Sequence, residues 1–509
     1  VAQPVEIFKN IKGMTRDFAV DSLPSGYLWD LVDAVPNRKG ARIDQRGSWV
    51  YFSPAYAGSI WGGYHAAFTG GLKLLVVSNS QVLDVNPTTG VGTAYGAGPA
   101  TMVQNGVKLN DRVYFMDGAG ATVPKVVTFS AAAVSLPASA PKAKVGIPYK
   151  GRLVLGGDPA NPSRVSFSPL EDAGGPVSAW DAQAWIGTNN EVTGLAAMAG
   201  QILVFHPAAI ERIRGSIPPG TDIEVDDMFA ETLTEQVGCT LPHTIVPWRE
   251  NIIFADERGV FLTDGSTVRN LAELGGMGDF WRMAYGSRVT DQGVSCGIFL
   301  DYLLVTVNAS VSGVPVSFTL VCDLNTRSWF RFTNFPATCY IQSESAMEQC
   351  WVGHLGTNRL ARVSTMFMDP LPLTTSDYVD GNGVPVLSSF TTGFERMGEE
   401  EGLTRLRNIY TSYHHQSFTR AETADGVLVE FRTDPPDPSD IDTASGAVTG
   451  WTEAGRMPDA LVYTRKRVDV GRRGYGIMVR VSALTPSRVH RFFSVGIERT
   501  NQDRAKVTT

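Results

Sequence analysis

Charge is scarce in this chain: Asp, Glu, Lys and Arg make up 19% of its 509 residues, and the net charge is −7. An overall basic field of the kind that drives tight phosphate binding is therefore absent, and any contact with nucleic acid should be local and non-sticky. No apolar run approaches the roughly 18 residues that span a bilayer. The opening VAQPVEIFKNIKG shows neither an h-region nor a cleavage pattern, so a soluble chain without a membrane span is expected. Cysteine is also rare. Cys239, Cys296, Cys322, Cys339 and Cys350 are odd in number, and none is spaced as CxxC, which argues against a disulfide scaffold or a zinc knuckle. Each lies in or beside an apolar run, where cysteine behaves as a small hydrophobe, and buried free thiols are expected.

Catalytic signatures are missing too. The sequence contains no GxSxG elbow, no HExxH, no Walker loop and no GxGxxG between a strand and a helix. Seven histidines are scattered, at 65, 206, 243, 354, 414, 415 and 490. Only His414 and His415 adjoin, and neighbours on a strand point to opposite faces, so a shared metal is not expected, and surface or interface placement of the histidines is. Helical periodicity is thin, with SDYVDGNG and GEEEGLTRLRN the nearest candidates and the second read as a turn entering a strand.

What the chain has instead is Gly 52, Pro 29 and 43% hydrophobic residues, the composition of many short strands joined by tight turns. The length demands two domains or a repeat. A loose unit of turn residue followed by apolar strand recurs seven times, at 66–86, 106–129, 146–168, 192–215, 243–265, 293–324 and 346–363. Its spacing of about 45 residues is what a four-stranded blade occupies. The predicted fold is all-β: a β-propeller of six or seven blades over residues 40–365, followed by a C-terminal β-sandwich-like domain over 386–500. Residues 1–39 form an N-terminal arm or first strands, 366–385 a connector and 501–509 a tail. Two β-sandwiches in series are the alternative architecture.

Few segments invite a functional reading. DPPDPSDIDTASG offers Asp434, Asp437, Asp440 and Asp442 as hard oxygen ligands, but its spacing misses the EF-hand loop and an acidic surface loop is the default. The pairs Asp226/Asp227 and Asp256/Glu257 resemble glycosidase acid/base pairs, though turns use the same residues. Trp180, Trp185, Trp248 and Trp281 would stack on sugars if exposed, and would otherwise serve as core between blades. The densest positive patch is Arg465, Lys466, Arg467, Arg472 and Arg473 in YTRKRVDVGRRGYGIMVRV. With no aromatic interleaved among these residues, it suits an acidic protein neighbour better than nucleic acid, and it is the candidate assembly interface. No catalytic, metal or cofactor-binding residue is assigned, and no cofactor is expected.

The order of segments resembles the tail-hub, or tail nozzle (packaged-DNA stabilisation), proteins of short-tailed bacteriophages. KGMTRDFAVDSLPSGYLWD carries the family's KGM-xx-DF opening and LP pair as Lys12, Gly13, Met14, Asp17, Phe18, Leu23 and Pro24. YKGRLVLGG, RVSFSPLEDAGGPVSAWD and NEVTGLAAMAGQILVFHPAAIERIRGS follow in the family's order, and YTRKRVDVGRRGYGIMVRVSALTPSRVHRFFSVGIER resembles its closing strands. The loop 434–446 departs from the pattern and leaves the tail type of the virion open. The resemblance implies a non-enzymatic virion protein, assembled in the host cytoplasm into a homo-oligomeric ring, usually of six copies. Such a ring retains packaged DNA through transient, non-sequence-specific contact and meets an adaptor above and fibre, needle or tip proteins below. A sugar-binding propeller is the alternative, and a glycan-cleaving one comes third.

Overall fold

The computed structural model describes residues 5–8, 11–18, 22–24, 27–36, 43–170, 175–198, 200–215, 228–289, 293–311, 314–343, 350–363, 367, 380, 384, 386–392, 395–396, 404–417, 427–434, 449–457, 464–474, 476–484 and 488–500. Its chain is almost entirely β, and its larger part is a propeller. Among the described residues, six antiparallel sheets of four strands are self-contained. In chain order the first five are Ile60–Phe68 to Gly92–Ala97, Val107–Leu109 to Val134–Ser135, Val145–Tyr149 to Trp185–Gly187, Gly194–Met198 to Phe229–Thr234 and Val246–Trp248 to Val268–Asn270. A sixth meander, Val294–Phe299 to Ser328–Phe332, has the same four strands but continues outward into a ten-stranded sheet. The last blade is Ala337–Gln342, Cys350–His354 and Arg359–Arg362, completed by the N-terminal strand Val50–Tyr51. All seven repeat units of the sequence thus become meanders.

Turn chemistry and burial explain why the units fold this way. Asn110 (φ 49°) and Gly151 (φ 75°) occupy the left-handed region that tight hairpin turns require. Arg249 (φ 54°) and Leu300 (φ 55°) do the same without the freedom of glycine. The second strand of each meander is apolar on both faces because it lies between two neighbouring blades. In Gln201–Phe205, Ile202 and Val204 pack with Val154 and Val165 of the third blade, while Leu203 and Phe205 pack with Ile252 and Phe254 of the fifth. A strand alternates its side chains between two cores, so both sets must be hydrophobic.

The C-terminal region is a pair of sheets sharing one core. Val427, Val429 and Phe431 alternate with half-buried residues on one strand, and Ile477, Val479 and Val481 are buried on its partner, where Met478 is buried as well. Together with Ile409 and Val495 of the second sheet they belong to one hydrophobic cluster. The first sheet runs from the outer strand of the sixth meander through Asp30–Val32, Ser389–Thr391, Gly476–Ala483 and Val427–Arg432 to Thr452–Met457. The second is ordered Thr464–Gly474, Thr404–Ser417, Arg488–Thr500, Ile43–Gln45 and Ala34–Pro36, with Val5–Phe8 also on Arg488–Thr500. The N-terminal segment is therefore woven into the C-terminal sheets. Ile43–Gln45, within the range that the sequence assigns to the propeller, is one of its strands there.

Helix is confined, among the described residues, to a few short segments, and the longest is Gly278–Gly286. Its buried Phe280, Trp281, Ala284 and Tyr285 fall on one helical face. The segment was not a sequence-based helix candidate, because nine residues carry a weak periodic signal. The other expected helix lies largely outside the described residues, while Thr404 onward in GEEEGLTRLRN is strand. Among the described residues no helix is long and apolar enough to cross a membrane.

Candidate functional site

Three places bear on function: the propeller axis, the joint between propeller and C-terminal sheets, and the basic strand. The innermost strands of all seven meanders line an axial cavity of about 400 Å³. Amide side chains lace these strands together. Asn105 donates to the Tyr340 carbonyl (2.7 Å) and accepts from the Gly63 N–H (3.3 Å). Gln104 bonds both polar groups of the Gly146 backbone (2.6 and 3.3 Å), and Gln342 donates to the Ile298 carbonyl (2.7 Å). Each bond joins two different blades, and that of Asn105 to Tyr340 reaches past the first blade to the last, so the ring is held by polar contacts along the axis as well as by apolar packing between blades.

The short 3₁₀ turn Pro242–Thr244 lies against the axial cavity. His243 donates from Nε2 to the Met102 carbonyl (3.0 Å), tying the turn before the fifth blade to the segment before the second. Pro242 and His243 line the axial cavity and also a separate cavity of about 330 Å³ on the other side of the turn. Burial drives the His243 imidazole down to about 4, so it is neutral at physiological pH. Among the described residues the lining of the axial cavity includes no Asp or Glu.

The joint is built on buried ion pairs. Asp30, from the N-terminal segment, takes Arg331 of the sixth meander in a bidentate bond (2.9 and 2.8 Å) and Arg16 at 3.2 Å. Burial pushes the Asp30 carboxyl up, but the two guanidiniums outweigh it and hold the group below the usual carboxylate range. Burial likewise lowers Arg16, to about 10. Arg46 joins Asp33 (2.7 Å) to Asp380 (2.9 Å to each carboxylate oxygen). Burial opposes the Arg46 charge, yet the two carboxylates raise its affinity for the proton. These pairs fix three stretches of chain to one another: the N-terminal segment, the sixth meander and Asp380 beyond the propeller.

The KGM-xx-DF residues belong to this joint. Asp17 accepts from the N–H groups of Gly278 and Asp279 (2.9 Å each), capping the helix Gly278–Gly286 across more than 260 positions. Gly13 has φ 113°, and a Cβ there would meet the Trp329 backbone nitrogen and oxygen at 2.9 Å. Met14 is fully buried, and Leu23 packs on Trp29 and Met478.

The basic cluster lies on Thr464–Gly474, which among the described residues pairs with one strand only. Its register sets Arg465, Lys466 and Arg467 opposite Ser412, Thr411 and Tyr410, and Arg472 and Arg473 opposite Leu406 and Arg405. The cluster is thus on a sheet edge.

Other sequence candidates disperse. Asp256 accepts from the Arg258 N–H (2.6 Å) in a hairpin turn whose Glu257 is exposed, while Asp226, Asp227, Asp437, Asp440 and Asp442 lie outside the described residues. Trp281 and Trp180 are buried, and the half-buried Trp185 and Trp248 are covered by Arg164 and Arg249, 4.0 and 4.8 Å from the ring centroids. His65, His206 and His354, expected at a surface or interface, are buried inside the subunit, where each ring finds a hydrogen-bond partner within the blades. The five cysteines are free and buried, and burial pushes every thiol up, Cys239 and Cys339 to about 11. Among the described residues no three His, Cys, Asp or Glu side chains stand together as a metal site.

No family model matches the chain, and no curated protein does. Solved structures are similar at low identity. PorZ, an essential surface component of the type-IX secretion system of Porphyromonas gingivalis, is 11% identical with a TM-score of 0.38 over 64% of this chain and 40% of PorZ. The extracellular domain of BT4673 from B. thetaiotaomicron is 9% identical with a TM-score of 0.44 over 91% of this chain and 63% of that one. The computationally designed Ika8 protein is 11% identical with a TM-score of 0.37, covering 62% of this chain and 99% of its own. The chain thus spans less than two thirds of the first two, and its propeller is read from its own sheet topology.

Proposed function

We propose that the chain is a non-enzymatic structural subunit of a bacteriophage tail hub or nozzle, forming a homo-oligomeric ring that retains packaged DNA and connects an adaptor to fibre or tip proteins. The observation that carries the reading is the course of the N-terminal segment. The residues that resemble the family's opening motif cap a helix, fill a core and sit among buried ion pairs, and so couple the propeller to the C-terminal sheets. A subunit that bears load between two partners needs such a coupling. Removing one partner of a buried pair costs several kcal/mol, so the joint resists displacement.

Two further features support it. The axial cavity of the propeller holds only about 400 Å³, so duplex DNA would pass through a space enclosed by several copies and not through one propeller. A net charge of −7 leaves that passage free of a sticky basic field. The basic strand at a sheet edge would then meet an acidic neighbour, and arginine's fork of donors suits carboxylates.

Electron microscopy and light scattering on the purified chain test this reading. Closed rings of several copies are expected, lost in the triple variant Arg465→Glu, Arg467→Glu, Arg472→Glu while its circular dichroism stays native. A chain that remains monomeric at all concentrations would overturn the reading.

A further inference from the structure

The last blade is completed by a strand of two residues. Val50 and Tyr51 pair with Arg362 and Ala361; beyond them the Phe52 N–H donates to the Leu360 carbonyl (2.7 Å) and Ser53 Oγ accepts from the Leu360 N–H (2.9 Å). So short a ladder does not hold itself, because the net gain from a few backbone hydrogen bonds is about matched by the entropy lost in ordering the residues that make them. What anchors it is Trp49, fully buried beside it. The centroid of the Trp49 ring lies 5.0 Å from that of Tyr51 and 4.9 Å from that of His354 in the last blade. The polar groups of Trp49 belong to the joint instead: its N–H donates to Asp380 (3.2 Å) and its Nε1 to the Asn334 carbonyl (2.8 Å). Asp380 also takes Arg46, Arg46 bonds Asp33, and the Asp33 N–H donates to the carbonyl of Arg331 (2.9 Å), the partner of Asp30. An unbroken series of contacts therefore runs from Asp30 at the sixth meander to Tyr51 in the last blade.

Buried charge ties the two ends together. Three buried carboxylates, Asp30, Asp33 and Asp380, face three buried guanidiniums, Arg16, Arg46 and Arg331, and four of these six groups belong to the N-terminal segment. Withdrawing that segment takes Asp30 from Arg331 and Arg46 from Asp380, and leaving one partner of a buried pair behind is strongly unfavourable. Unseating Val50–Tyr51 alone draws Trp49 from Asp380, and unseating Asp30 alone leaves Arg331 behind, so neither end is free to leave by itself. We propose that the segment from Trp29 to Ser53 is a strap that seats and unseats as one unit, making completion of the last blade depend on the joint with the C-terminal sheets. Asp30–Val32 lies between Ser328–Phe332 of the sixth meander and Ser389–Thr391, so a load that parts the C-terminal sheets from the propeller also unseats the last blade's closing strand. The device belongs to a single copy and does not depend on what that copy assembles with.

Hydrogen exchange of the full chain in low urea, read by mass spectrometry, tests the strap. The Trp29 and Asp33 amides, bonded to the Thr391 and Arg331 carbonyls, report one end; the Phe52 amide and the strand Arg359–Arg362 report the other. In wild type both ends are expected to share one opening constant, about tenfold or more above that of the second to fourth blades. Asp30→Asn, at a residue whose contacts lie outside the last blade, should speed exchange at both ends by the same factor, about tenfold or more. Arg331→Lys, which keeps the charge without the paired bonds, is a milder change expected to act alike. Tyr51→Ala should in turn speed the Trp29 and Asp33 amides, since coupling acts equally in both directions. Different opening constants at the two ends in wild type, or acceleration confined to one end in these variants, overturns the proposal.

Discussion

Asp30 and Arg331 lie 301 positions apart, yet they share two parallel hydrogen bonds of 2.9 and 2.8 Å in a site closed to water. The pair joins the N-terminal segment to the outermost strand of the sixth meander at the one point where those strands run parallel, Arg331 opposite Val32. Arg16 approaches the same carboxylate and lies 4.6 Å from the centroid of Trp29. One buried aspartate therefore balances two arginines.

Replacing Asp30 with Asn should destabilise the chain by about 3–5 kcal/mol, since two buried guanidiniums would lose their counter-charge. Urea unfolding would measure this. A triple variant combining Asp30→Asn with Arg16→Met and Arg331→Met is expected to recover part of the loss.

His243 makes stability fall in mild acid. Its folded-state value of about 4 lies below the ordinary 6.5, so the unfolded state binds the proton more readily between those limits. Stability is therefore full above about pH 6.5 and declines as pH drops towards 4, by up to roughly 3 kcal/mol for this group. His354, also lowered to about 4 by burial, acts in the same direction. Thermal melting of His243→Gln, whose amide can still donate to the Met102 carbonyl, should show a shallower decline over that window. An unchanged slope would assign the acid sensitivity elsewhere.

Asp17→Ala should cost about 1–2 kcal/mol through loss of a helix cap. The effect should appear as faster hydrogen exchange at the amides of Gly278 and Asp279, with the blade cores unchanged. Gly13→Ala is expected to cost about 1–3 kcal/mol through backbone strain, aggravated by the Trp329 contact.

Asp256→Asn with Glu257→Gln should leave stability and the melting profile close to wild type. An amide oxygen at 256 still accepts from the Arg258 N–H, and Glu257 is exposed. A glycan-cleavage assay that responded to these changes would instead assign the turn a catalytic role.

The repeat was legible in the sequence because its cause is local. A turn residue such as Asn110 or Gly151 next to a run such as RLVL dictates a hairpin whose strand is apolar on both faces, and seven such runs imply seven meanders. The same holds for the alternation of Val427, Val429 and Phe431 and for the buried thiols, since burial follows from the pattern around each residue. The edge position of the basic strand, by contrast, depends on which partners the sheet offers. Tertiary structure alone decided that Val50–Tyr51 completes the last blade, that Asp17 caps a helix beginning at Gly278, and that Asp30 finds Arg331. It also brought Trp49 to both Asp380 and His354. Composition and period report how a residue sits relative to its neighbours in the chain. They carry no information on which of hundreds of distant residues will supply its counter-charge, its cap or its missing strand, because those choices are set by ring closure and shared burial.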